Sequence, residues 1–238
     1  MMVKVTGSWD EIPRFASMWN MEGLVVMGFC AQDHQKLRES MHIPFVVYDG
    51  YFTETEKICN LVIDNYDGGR QAGEYLRGLG HRNVLCIADN YSCMDKERIE
   101  GFWDGFAAED GCSVERQIEF MQIPFKREER SRFYTDQEDR IRKHSAVFAV
   151  SDYYAAELMH FLQRKGMRVP EDISIIGFDD TPLCRWIQPP LTTVKQDVEL
   201  RAGYAVEVLK QLKAGACGKK RIKIPVSLVV RASVSPIL

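Results

Sequence analysis

Residues 146–180 read AVFAVSDYYAAELMHFLQRKGMRVPEDISIIGFDD, and the fold is decided here. Ala146 to Val150 is a short run apolar at every position, as a strand buried on both faces requires. After Ser151 the period changes: Ala155, Leu158, Met159 and Leu162 recur three and four residues apart and so share one face of a helix. Gly166 stops that helix and Pro170 prevents its resumption. Ile173 to Phe178 is a second short, mostly apolar run. Strand, crossover helix and strand of the same buried kind make a parallel βαβ unit.

The alternation extends outward. Leu24 to Phe29, Phe45 to Tyr48, Leu61 to Ile63 and Val84 to Ala88 are further buried-strand patterns. Ala72, Tyr75, Leu76 and Leu79 mark a helix ending at Gly80. Ile99, Phe102, Trp103 and Phe106 mark another before Gly111, and Tyr204, Ala205, Val208, Leu209 and Leu212 a last one ending near Gly215. Strand and helix alternate throughout, so the expected class is α/β, doubly wound, with parallel sheets. Irregular polar segments follow residues 84–88 and 173–178, which points to two lobes.

The chain has 238 residues, 45% hydrophobic, enough to bury a sizeable core. A formal net charge of -3 supplies no overall basic field for nucleic acid, so DNA contact would have to be made elsewhere. The seven cysteines are odd in number and contain no Cys-x-x-Cys pair, which fits a reducing cytoplasm and gives no metal-site spacing. The first ten residues reach Gly7 and Asp10 before any apolar run long enough for a signal peptide, and no segment approaches the roughly 18 apolar residues of a membrane span. The run KREERSR, residues 126–132, mixes signs and reads as a solvated helix face.

Ligands of open α/β sheets sit beyond the carboxyl ends of the strands. The polar residues there are Asp49; Asp64, Asn65 and Asp67; Asp89 and Asn90; Ser151 and Asp152; Asp179 and Asp180. Such groups accept hydrogen bonds from hydroxyls, and aromatic neighbours such as Tyr48, Tyr91, Tyr153 and Phe178 can cover the apolar face of a sugar, chemistry that suits a polyol. The competing reading is that each Asp or Asn caps a helix or opens a turn. Arg98, near the start of its helix, gains nothing from the helix dipole and needs a partner, either an acid or a ligand oxygen. No nucleophile elbow, phosphate-binding glycine loop or zinc helix occurs, and the Gly68-Gly69 pair lacks the residues that would complete one. The five histidines are scattered, and adjacent strand residues such as Asp179 and Asp180 face opposite ways. No catalytic residue, metal ligand or cofactor site is expected.

Several segments together resemble the effector-binding core of the lactose-repressor (LacI/GalR) family of transcription regulators. They are RVPEDISIIGFDDTP (168–182), PPLTTVKQD (189–197), DNYDGGRQAGEYLRGLGHRNVLCIAD (64–89), KERIEGFWDGF (96–106) and AVFAVSDYYA (146–155). The resemblance runs in order from about Met21 to Arg231. It implies two Rossmann-like lobes of the type I periplasmic-binding-protein kind, with a sugar or similar effector in the cleft between them. The expected crossovers lie near Ala88–Asn90, Gln196–Val198 and Lys223, giving an amino-terminal lobe of residues 1–88 and 197–222 and a carboxyl-terminal lobe of 89–196 and 223–238.

By position, Arg98 matches the family's effector-contacting arginine and Asp179 its hydroxyl acceptor. Asp67, Ser151, Asp152 and Gln196 fall at other cleft positions, beside Phe178. Ser151 stands where the family usually carries Asn. The resemblance further implies a homodimer in the cytoplasm, with operator DNA read by a helix-turn-helix that these residues do not contain. Met1 to Gly7 matches the family's second strand, so its first strand and helix are expected to be missing. The alternative is a solute-binding protein that delivers a sugar to a transporter.

Overall fold

The computed structural model describes residues 11–27, 41, 43–50, 58–107, 117–216 and 221–237. The expected strand at Met1 to Gly7 therefore lies outside the described residues. The chain divides into two compact units, residues 1–63 with 197–224 and residues 64–196 with 225–238.

In the first unit, β1 (Leu24–Met27), β2 (Phe45–Tyr48), β3 (Ile58–Ile63) and β9 (Arg221–Ile224) form a parallel sheet in the order β1-β2-β3-β9. Both faces are apolar, as the sequence runs required. Val46, Leu61 and Ile224 pack against Ala205 and Val208 of helix α8 (Val198–Lys213), while Phe45, Val47 and Val26 pack on the opposite side with Ile12 of helix α1 (Glu11–Met18). Asp49, at the end of β2, holds the buried Arg201 of α8 through an ion pair of 2.5 Å, and the Tyr48 ring lies 4.0 Å from the same guanidinium. Asp49 is therefore a structural acid.

The second unit contains β4 (Asn83–Ala88), β5 (Gln117–Gln122), β6 (Ala146–Ala149), β7 (Ser174–Asp179), β8 (Thr192–Gln196) and β10 (Val226–Val229). They form one six-stranded sheet ordered β10-β8-β7-β6-β4-β5, parallel except that β10 runs against β8. Val147, Ala149 and Ile175 meet Ala155, Leu158 and Leu162 of α6 (Asp152–Arg164), the expected βαβ packing. That helix ends at Gly166, whose φ of +82° only glycine adopts without strain. Short helices α5 (Glu138–Ile141) and α7 (Leu183–Trp186) lie in the connections that lead into β6 and β8. On the other side of the sheet Phe148 stacks on Phe102 of α3 (Cys93–Ala107), with centroids 4.6 Å apart.

Helix α3 in turn packs against α2 (Asn65–Gly78), backbone to backbone. A Cβ at Gly69 would fall 2.0 Å from the Arg98 carbonyl oxygen, and one at Gly101 would fall 2.0 Å from that of Tyr66. Gly73 and Gly105 make the same approach one turn on. The glycines that completed no phosphate loop are helix-packing residues.

One expectation is corrected. The first division falls between Ile63 and Asp64, not near Ala88, so residues 64–88 belong to the second unit. Helix α2 packs on α3, and β4 sits inside the six-stranded sheet between β5 and β6. The last division falls after Ile224 rather than after residue 222.

Candidate functional site

At the carboxyl ends of β6, β7 and β8 the second unit gathers charged and polar side chains around one buried arginine. Helix α3 opens at Cys93, which places Arg98 in its second turn, with the side chain 9% exposed. Its Nε donates to Asn65 Oδ1 at 2.9 Å, and Nη1 donates to the Val150 carbonyl at 2.6 Å. The guanidinium carbon lies 3.9 Å from the centre of the Phe178 ring, a desolvated cation–π contact that fixes the plane of the group. The Asp179 carboxylate faces Nη1 at 3.5 Å.

Asp179 is the last residue of β7 and carries a φ of +123°, a backbone conformation that costs an ordinary side chain of order 1–3 kcal/mol. Its Oδ1 accepts from Gln196 Nε2, at the end of β8, and its Oδ2 accepts from Ser151 Oγ at 3.4 Å. Burial pushes the carboxyl pKa up to about 6, and nearby Asp152 adds to the rise. Arg98, Gln196 and Ser151 act in the opposite direction. Ser151 also caps α6, accepting from the Tyr153 amide. The cluster thus offers a fixed guanidinium, a carboxylate, a carboxamide and a hydroxyl within one unit, a set that can donate to and accept from neighbouring hydroxyls of a polyol.

Four expected site residues, Arg98, Asp179, Ser151 and Gln196, come together here. Three others do something else. Asp152 is fully buried, with Oδ1 accepting from Thr193 Oγ1 at 2.5 Å and Oδ2 from the Thr181 amide at 2.7 Å. It ties the start of α6 to β8 and the loop after β7, leaving no surface for a ligand. Phe178 is also fully buried and acts as the platform beneath Arg98. Asp67 holds Arg70 and Gln71 of its own helix, and Gln71 bonds the Val226 and Leu228 backbone, so this acid anchors α2 to β10.

Asn65 belongs to the cluster although only its place after a strand marked it. The sequence gives no sign that it reaches Arg98 from another helix. Asp64 caps α2, Asn90 bonds Asp89 and Asp95, and Asp180 pairs with Arg231. Buried His81 bridges Ser145 and the Ser235 carbonyl, and its pKa is lowered by burial. Among the described residues no group of three His, Cys, Asp or Glu side chains could hold a metal ion. No helix among them is long and apolar enough to cross a membrane.

A two-unit α/β chain with a polar cluster at the carboxyl ends of parallel strands has the architecture of the periplasmic-binding-protein class. Residues 74–234 match the family described as "Periplasmic binding protein-like domain". Among curated relatives, the HTH-type transcriptional regulator DegA of Bacillus subtilis is 35% identical over 179 residues, 74% of this chain and 52% of that protein. The HTH-type transcriptional repressor PurR of Vibrio atlanticus is 31% identical over 201 residues, 79% of this chain and 57% of that protein. The chain thus spans little more than half the length of these relatives.

Solved structures agree on the fold. A ribose-bound LacI family transcriptional regulator from Enterococcus faecium superposes with a TM-score of 0.81 at 22% identity, covering 100% of this chain and 88% of that one. The lac repressor dimer bound to operator and the anti-inducer ONPF gives 0.79 at 25% identity, covering 99% and 82%. The chain belongs to the periplasmic-binding-protein-like family, and the curated relatives it matches are HTH-type transcription regulators.

Proposed function

We propose that this chain is the sensing core of a LacI-type transcription regulator and binds a monosaccharide or similar polyol at the Arg98–Asp179 cluster. The observation that carries this reading is the buried guanidinium clamped between Phe178 and Asp179 at the ends of parallel strands. A cation held so rigidly loses little entropy on receiving a ligand oxygen, and Asp179, still 25% exposed, keeps room to accept a hydroxyl proton. Ser151 and Gln196 orient that carboxylate, and Asn65 orients Arg98. The ligands named for structural neighbours, ribose among them, support a sugar. The regulators among its relatives favour a sensor over a transporter's solute-binding protein.

In this reading the protein works as a homodimer in the cytoplasm, releases its ligand unchanged and reaches operator DNA only through a helix-turn-helix outside these residues. Calorimetric titration of the chain with ribose, other monosaccharides and disaccharides, repeated on Arg98→Ala, tests it. Saturable binding of one sugar, lost in the folded variant, is expected. A sugar that binds equally well to both proteins overturns the assignment of the site. Chemical conversion of the bound sugar overturns the sensor reading, and sedimentation of the chain as a monomer at all concentrations overturns the dimer.

A further inference from the structure

The KREERSR run mixes signs along the sequence, and its helix brings two of its arginines to one side. Helix α4 (Arg127–Asp136) turns Arg127, Arg130, Ser131 and Tyr134 toward the second half of α6, where the two flank a half-open cavity of about 350 Å³. Glu128 and Glu129 do not line it, and Glu129 pairs outside it with Lys126 at 3.7 Å. The opposite wall brings His160, Arg164 and Lys165.

The acid lining the cavity, Glu157, is already neutralised. Arg130, 9% exposed, grips it through both carboxylate oxygens at 2.6 and 3.1 Å and directs its remaining donor to the Pro124 and Phe125 carbonyls. Arg127 also approaches Glu157, at 3.2 Å, and Lys165 reaches Glu138 at 3.0 Å. Arg164 takes no ion pair among the described residues. Four cations therefore line the cavity with one carboxylate, and the Ser131 and Thr135 hydroxyls lie beside them. Tyr134 lines the same cavity, and its hydroxyl, closed to solvent, has no hydrogen-bond partner among the described residues.

We propose that this cavity is a second ligand site, taking a phosphate dianion, free or carried on a small metabolite. Planar guanidinium groups and hydroxyls lining one space suit tetrahedral oxyanions, and the volume is that of a small-molecule pocket. It shares no residue with the Arg98 cluster, so the two sites can be tested separately.

The test is titration of the whole chain at fixed ionic strength with inorganic phosphate, ribose 5-phosphate and ribose, on wild type, Arg127→Gln/Arg164→Gln and Arg98→Ala. Both glutamine substitutions fall on exposed positions, and circular dichroism verifies the fold. Phosphate or ribose 5-phosphate should bind and weaken tenfold or more in the double variant while binding persists in Arg98→Ala. Tighter binding of the ester assigns a phosphorylated metabolite, and equal binding assigns the free ion. No binding of either probe at millimolar concentration overturns the proposal. So does binding that survives the double variant or disappears with Arg98.

Discussion

Asp152 and Asp179 look alike in the sequence, each an acid just past a strand, and their surroundings give them opposite work. Asp179 has a pKa of about 6 against an ordinary 3.8, so folding favours its protonated form. That contribution to stability is complete below the unfolded value and is lost as pH rises through about 6. At about 1.4 kcal/mol per unit it amounts to at most ~3 kcal/mol, reduced by the residual exposure of the carboxylate. Urea unfolding of wild type and Asp179→Asn should therefore show wild type losing ground to the variant between about pH 4 and pH 7.5. A constant difference would mean that Arg98 keeps the carboxylate ionised throughout. Sugar affinity should move the other way, rising with pH as Asp179 becomes a charged acceptor. Asp152→Ala should behave differently, because it strands the Thr181 amide and Thr193 hydroxyl in a buried place. A loss of about 2–4 kcal/mol in unfolding free energy is expected. The sugar affinity of the folded fraction should change less than in Asp179→Asn, and the reverse ranking would return Asp152 to the ligand.

At the scale of elements, the contact between α2 and α3 holds Arg98 in place. Gly69→Ala drives a methyl group into the Arg98 carbonyl, 2.0 Å away, where no flexible side chain can yield. Overpacking of backbone against backbone should cost about 3 kcal/mol or more. Because Arg98 itself is displaced, calorimetry should show weakened sugar binding alongside the lower melting temperature. Gly203 is the contrast: it lies within α8, and a methyl group added there would find nothing within 4 Å, so Gly203→Ala should stabilise by about 0.5–1 kcal/mol. The βαβ unit of residues 146–180 was legible because its period changes, stop glycine and proline all agree. The division between units was not, since the polar residues after Ile63 and after Ala88 look alike. What separates them is the pairing of β4 with β5 and β6, a contact between distant segments that no local pattern carries. Strand β5 escaped because its polar Gln117, Glu119 and Gln122 are what an edge strand tolerates. The need of Arg98 for a partner could be read from its place on the helix. That Phe178 would lie under it and Asn65 beside it depended on the packed fold.

For the whole molecule the decisive quantity is charge. Neutralising phosphates releases counterions, and affinity then falls with salt at a logarithmic slope near -0.9 for each phosphate contacted. A chain of net charge -3 lacks the overall field that drives this binding. Among the described residues many cations are engaged locally: Arg70 with Asp67 and Glu74, Arg142 with Glu138, Arg168 with Asp172, Arg231 with Asp180. The cationic cavity between α4 and α6 is sized for a small molecule and offers no extended groove to a duplex. Mixed with operator-length DNA at about 50 mM salt, this chain should therefore give no retarded band, with or without sugar. A band that weakens steeply toward about 200 mM salt would place a DNA-reading surface on the effector core itself. Its absence, together with sugar binding by the same preparation, would separate sensing from DNA reading within the regulator and leave the latter to residues outside the core.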